Sequence, residues 1–182
     1  MVENIIRGLV KTFPALSPSI EHFELAPERE KNFIQQRNEE GNIAAVRGLI
    51  FEQCIHYHMS EYAKIDGFKY SQKSENDFYY DGLIKKGNIT IHIDYKLIHN
   101  KNYLEINSKP GAEYHLVKNA IQSKKCDDVW HMVYRTDENF EKLYPVCFGS
   151  FKNTFNIKSF PGKYATPENP TQVLHLSEYY KL

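Results

Sequence analysis

The chain has 182 residues, with 23 Lys and Arg against 23 Asp and Glu, so its formal charge is zero with His neutral. That length suits a single domain able to bury a real core, and the charge balance argues against a protein that coats nucleic acid by bulk electrostatics. No apolar run approaches the ~20 residues needed to span a bilayer, and MVENIIRGLVKTF, with Glu3 and no small-residue cleavage pattern, is not expected to act as a signal peptide.

Residues 2–12 predict a short amphipathic helix with Ile5, Ile6, Leu9 and Val10 on one side, broken by the two prolines of FPALSPS. A second helix is expected from Pro27 to about Glu40, with Glu28 and Glu30 in its first turn, where acids complement the dipole. Gly41-Asn42 is expected to interrupt it, with Asn42 capping a further helix from Ile43 to about Tyr62. The period then changes, and residues 67–72, 77–85 and 89–97 read as strands. Lys109-Pro110-Gly111 marks a turn, Ala112 to Lys124 a helix, and Val129 to Tyr134 a short apolar strand. Residues 144–151 offer one more strand, and the tail from Asn153 reads as loop until TQVLHLSEYYKL. Cys54, Cys126 and Cys147 are odd in number, far apart and without a CxxC pair, which fits reduced, buried thiols in a cytoplasmic protein.

The segment YYDGLIKKGNITIHIDYK, residues 79–96, carries the first chemical signal. On a strand, Thr90, His92, Asp94 and Lys96 share one face, and Ile89, Ile91 and Ile93 take the other. Gly87-Asn88 as a two-residue hairpin loop pairs Lys86 with Ile89, and counting back places Asp81 opposite Asp94. A three-residue loop would spoil that register. Facing carboxylates repel unless one is protonated or a cation lies between them. Oxygen ligands on rigid strands suit Mg²⁺, and Lys96 adds a compact positive charge beside them. A D-x-K tripeptide on its own is common, and an exposed hairpin face is its ordinary reading. A second signal lies in RGLIFEQCIHYHM, where Glu52 falls in a helical stripe with Leu49 and Ile55 and with Gly48 one turn earlier. Such a Glu is costly unless paired or metal-bound, and Gly48 would let another backbone approach. The bland alternative pairs it with Arg47 or with a Lys from elsewhere.

Taken together, GLIFEQ, Tyr80-Asp81 and Asp94-Tyr95-Lys96 resemble the active-site motifs of the PD-(D/E)xK nuclease superfamily, over roughly residues 43–135. The one departure is Tyr80 where the family has Pro. The resemblance implies an α/β, restriction-endonuclease-like core: a mixed central sheet flanked by helices in αβββαβ order. It would form a single domain, with a helical extension over residues 1–42, the catalytic core over 43–135 and a C-terminal extension over 136–182. It also implies that Asp81, Asp94 and the Tyr95 carbonyl bind a divalent metal, that Lys96 positions or activates the attacking water, and that Glu52 is a supporting carboxylate that binds a second metal or a metal-bound water. The implied activity is Mg²⁺-dependent hydrolysis of double-stranded DNA, with Mn²⁺ able to substitute, by a small type II restriction endonuclease. A homodimer is expected, with the apolar stripe of residues 5–10 as one candidate contact. A structure-selective nuclease, of junction, mobile-element or viral type, is the first alternative. A non-catalytic nucleic-acid-binding module is the second.

Directly after the D-x-K strand, LIHNKNYLEINSKPG gathers Lys101, Asn102, Asn107 and Lys109, side chains of the kind used for phosphate and base-edge contacts. A polar surface loop is the plain reading of any one of them. FKNTFNIKSFPGKY at 151–164, basic and aromatic without an acid, is a second candidate for DNA contact. Cys54-x-His56-x-His58 is set aside as a zinc site, because helix positions two apart point to different sides.

Overall fold

The computed structural model describes residues 1–12, 15–74, 76–108, 111–154 and 171–181. Five helices are described: α1 (Val2–Thr12), α2 (Ile20–Glu24), α3 (Glu28–Gln35), α4 (Glu39–Asp66) and α5 (Glu113–Gln122). The strands are β1 (Lys69–Gln72), β2 (Gly82–Lys86), β3 (Ile89–Ile98), β4 (Tyr103–Asn107), β5 (Val129–Thr136), β6 (Leu143–Ser150), β7 (Thr171–His175) and β8 (Tyr180–Lys181). Six of them form a mixed sheet in the order β1-β2-β3-β5-β6-β8, while β4 and β7 pair separately. Among the described residues β3 and β5 are the one parallel pair, and α5 lies in the crossover between them, as a parallel pair requires. The expected mixed sheet flanked by helices, in αβββαβ order, is present with β4 added between the third strand and its helix.

Helices α1 and α4 cover one face of the sheet. Ile6, Leu9 and Val10 pack with Phe51, Cys54, Ile55 and Met59 against Ile84, Ile91, Ile93, Tyr95, Met132 and Phe148. Each fully buried aliphatic side chain there contributes about 1.5–3 kcal/mol relative to exposure. The stripe of residues 5–10, expected as a dimer contact, is therefore consumed by the chain's own core. Ile6 is 0 % exposed and Leu9 2 %. Helix α5 covers part of the other face, with Val117 and Ala120 against Tyr80, Val129 and Phe151. All three cysteines are free and buried. No helix among the described residues is long and apolar enough to cross a membrane.

Several local expectations need correction. Gly41-Asn42 does not interrupt a helix: α4 starts at Glu39, and the Asn38 side chain caps it by accepting from the Gly41 N–H at 2.8 Å. One glycine costs a helix about 1 kcal/mol against Ala, which the packing of a 28-residue helix outweighs. The helix ends at Gly67, whose φ of 67° gives the left-handed cap. The short α2 between the proline-bounded turns was not anticipated. The strand expected over 77–85 begins only at Gly82. No second backbone approaches Gly48, because a Cβ there would meet nothing within 4 Å. The segment read as a polar loop after β3 contains β4, with Leu104 and Ile106 buried in strict alternation. Its partner β7 lies at Thr171–His175, too distant in sequence to be inferred locally.

Gly149 is bare for a steric reason. A Cβ built on it would lie 1.5 Å from Cδ1 of Tyr179, which crosses over β6 at that point. Gly149→Ala is expected to destabilise the fold by about 1–3 kcal/mol or more, because the ring must move out of a packed site. A urea melt with an unchanged midpoint would refute this.

Candidate active site

The hairpin register is the one the turn chemistry predicts. Lys86 pairs with Ile89 and Gly82 with Ile93, and Gly87 supplies a φ of 56° in the two-residue turn. Asp81 is the next residue out, and its N–H donates to the Ile93 carbonyl at 2.8 Å. Its Oδ2 accepts from the Tyr95 N–H at 2.9 Å. Asp81 thus lies next to Asp94, one step beyond the Gly82–Ile93 pair.

The row extends in both directions across the sheet. On one side the Lys73 N–H donates to the Asp81 carbonyl at 2.8 Å, so Lys73, one residue beyond β1, stands next to Asp81. On the other, Asp94 is in register with His131 of β5, and His131 with Gly149 of β6. Facing positions in neighbouring strands present side chains on the same face. Lys73, Asp81, Asp94 and His131 thus form one polar line, and Gly149 ends it. Tyr179 occupies the space above Gly149, and its hydroxyl hydrogen-bonds His131 Nδ1.

Two helices close on this line. Glu113, in the first turn of α5, places its carboxylate 2.7 Å from Lys96 Nζ, and Lys96 Nζ is also 2.7 Å from Asp94 Oδ2. Glu52 of α4 reaches the line through Lys73, whose ammonium is 3.5 Å from Glu52 Oε1 and 3.2 Å from Asp81 Oδ1. Glu52 Oε1 also lies 3.4 Å from His56 Nε2. Of the two bland partners for Glu52, a lysine from elsewhere is the one found. His56 is buried against the Tyr70 hydroxyl and forms no zinc cluster with Cys54. His92 packs edge-on against Tyr80.

Burial governs the electrostatics. Asp94 is held well above the usual carboxylate range, first by burial and then by Glu113 and Asp81, against the pull of Lys96. Asp81 goes the other way: burial opposes its ionisation, but the hydrogen bond with Asp94 and the charges of Lys73 and Lys96 prevail. Burial thus favours the neutral form of Asp94, while the charges around Asp81 favour its ionised form. Burial also disfavours charge on Lys96, yet Asp94 and Glu113 outweigh it and raise its pKa. Glu113 is depressed: Lys96 overcomes its burial. His131 is pushed down to about 3 by burial and by Lys96, so its imidazole is neutral.

The set also has the donor chemistry of a cation site. Asp94, Glu113 and His131 each offer a ligand atom, all within 4.8 Å of one another. Asp94 Oδ2, Glu113 Oε1 and His131 Nε2 are buried without a hydrogen-bond partner among the described residues. Lys96 stands at ion-pair distance from the two carboxylates but is not aligned to hydrogen-bond those oxygens. Buried polar atoms are ordinarily satisfied. Three buried acceptors this close together, two of them paired only with the Lys96 charge, have the donor chemistry of a divalent-ion site.

The sequence singled out Asp81, Asp94, Lys96 and Glu52, and the fold gathers the first three directly and Glu52 through Lys73. Tyr95, expected to offer its carbonyl, has its ring buried beside Tyr70 and Tyr134. Glu113 and His131 were missed. The one signal for His131 was a polar residue inside the apolar run VWHMVY. Among the expected DNA contacts, Lys101 pairs with Glu105 at 2.6 Å, and the Asn102 side chain accepts from Arg135 at 2.9 Å. Asn107 is exposed at the end of β4. Lys109 lies outside the described residues, as does most of the 151–164 tract.

No protein-family model matches the chain, and no curated protein sequence matches it. Among solved structures it is similar to Hjc, a Holliday junction resolvase from the archaeal hyperthermophile Archaeoglobus fulgidus. The TM-score is 0.42 and the identity 9 %, and the match covers 68 % of this chain and 89 % of that one.

Proposed function

We propose that the chain is a divalent-metal-dependent endonuclease that hydrolyses phosphodiester bonds of double-stranded DNA. The observation that carries this reading is the polar line itself. Two carboxyls, Asp81 and Asp94, stand side by side, Lys96 lies on the same face, and Asp94, Glu113 and His131 bring ligand atoms within 4.8 Å of one another. Asp81, Asp94 and Glu113 would hold the ion, with His131 Nε2 within reach. When bound, the ion supplies Lewis-acid stabilisation of the phosphate charge and makes a water more acidic. Lys96, held as an ammonium, acts as a fixed positive charge that donates to the attacked phosphate or orients the water, rather than as a base. The neutral His131 adds a nitrogen to an otherwise oxygen set, which favours Mn²⁺ over Mg²⁺.

The finer reading is a sequence-specific restriction enzyme acting as a homodimer, since two-fold symmetry would present two sites to both strands of a palindrome. The assay uses plasmid and synthetic four-way-junction substrates, with Mg²⁺, Mn²⁺ or excess EDTA. Cleavage is expected with either ion and absent in EDTA. Discrete plasmid fragments support sequence-specific cutting, and junction-only cutting replaces that reading with structure selectivity. Full cleavage in EDTA, or none with either ion, rejects the metal-dependent nuclease.

A further inference from the structure

Lys73 belongs to no motif by which the sequence marks a site, yet its ammonium is surrounded by carboxylates from three elements. Asp81 Oδ1 of the hairpin is at 3.2 Å, Glu52 Oε1 of α4 at 3.5 Å and Glu30 Oε1 of α3 at 3.9 Å. The ladder bond from its N–H to the Asp81 carbonyl fixes its backbone beside Asp81. Its side chain is only 29 % exposed. The second oxygen of Glu30, Oε2, is buried with no hydrogen-bond partner among the described residues. This pocket therefore offers more acceptors than one ammonium satisfies.

We propose that Lys73 is a built-in cation occupying the place between Asp81 and Glu52 that a second metal ion would take, so that the site accepts one divalent ion. The inference rests on the metal-site reading given above. A tethered ammonium supplies one positive charge without having to be recruited from solution. It also repels a divalent ion from the Glu30–Glu52–Asp81 pocket, whereas Lys96 serves the Asp94–Glu113 side and His131 adds a neutral ligand there. By holding Asp81 Oδ1, Lys73 leaves Oδ2 on the Tyr95 N–H and so fixes the orientation of the carboxylate that the first ion needs. Lys73 is thus a positioning residue, acting through Asp81 and Glu52.

The test is the number of Mn²⁺ ions bound by the full chain without DNA, read by electron paramagnetic resonance of the free ion at millimolar Mn²⁺. Wild type is expected to bind one ion per chain. Lys73→Ala should bind two, Lys73→Arg one, and Lys73→Ala with Glu52→Gln one again. Lys73→Met, which keeps most of the side-chain volume, serves as the second neutral variant and should also bind two. A purely structural lysine would leave the count at the wild-type value in every folded variant, and that result overturns the proposal. Two ions on wild type overturn it as well. Loss of the fold in both neutral variants likewise assigns Lys73 a structural role. No ion on wild type with one on Lys73→Ala would reject the Asp94–Glu113–His131 site while upholding the role of Lys73.

Discussion

Lys96→Ala is expected to reduce DNA hydrolysis by about 10²–10³-fold, the usual cost of removing one preorganised donor aimed at developing charge. DNA binding, measured with Ca²⁺ in place of Mg²⁺, should change little. Lys96 is 16 % exposed at the side chain and sits between two carboxylates, which makes it a poor primary anchor for a phosphate backbone. The same position brings a stability cost. Removing one partner of a buried ion pair typically costs about 3–5 kcal/mol, because the other charge is left without compensation. Burial favours the neutral form of Asp94 and Lys96 favours the ionised form of Glu113, so Glu113 bears most of that penalty. Divalent ions should then restore more stability to Lys96→Ala than to wild type, since the orphaned carboxylates gain a cation. Melts with and without Mg²⁺ separate the two effects. Binding lost in proportion to cleavage would instead make Lys96 the DNA anchor.

The Asp81–Asp94 pair was legible because a two-residue turn fixes an antiparallel register, and Gly87 at positive φ specifies that turn. Glu52 was legible as a charged residue in an apolar helical stripe. Glu113 and His131 were not, because His131 reaches Asp94 through the parallel pairing of β3 with β5 and Glu113 comes from α5 in the crossover between those strands. About 30 residues and a helix separate such strands, and no local turn sets their register. Lys73 escaped notice for a related reason: it lies one residue past a strand, and its partners come from α3, α4 and the hairpin. The long α4 was misread because Gly41-Asn42 is a strong local stop signal, and only tertiary packing overrides it. Strand β4 was hidden by composition. Its period-2 burial is present in YLEIN, but neighbouring Asn and Lys residues make the whole stretch look like loop.

Asp94→Asn is expected to abolish cleavage and to leave the metal-free protein as stable as wild type or more so. Asp94 is buried, 7 % exposed, and burial together with Glu113 and Asp81 raises its pKa. An Asn amide keeps the shape and is neutral at every pH. The pH dependence gives the sign. A carboxyl whose folded-state pKa is raised above its ordinary value of 3.8 contributes stability that is fully present below that value and lost as pH rises through the folded pKa. Wild type should therefore lose stability relative to Asp94→Asn as pH climbs from about 4 toward neutrality. Metal reverses the ranking. The ion binds the ionised carboxylate, so Mg²⁺ or Mn²⁺ should stabilise wild type strongly and the mutant weakly, by the ratio of their affinities. An Asp94 that stays ionised in its pair with Lys96 predicts the opposite, with a neutral or destabilising change that is insensitive to both pH and metal. Thermal melts of the two proteins at pH 5 and pH 8, each with and without the ion, distinguish these outcomes. Equal stabilisation of both proteins by the ion would mean that Asp94 is not a ligand.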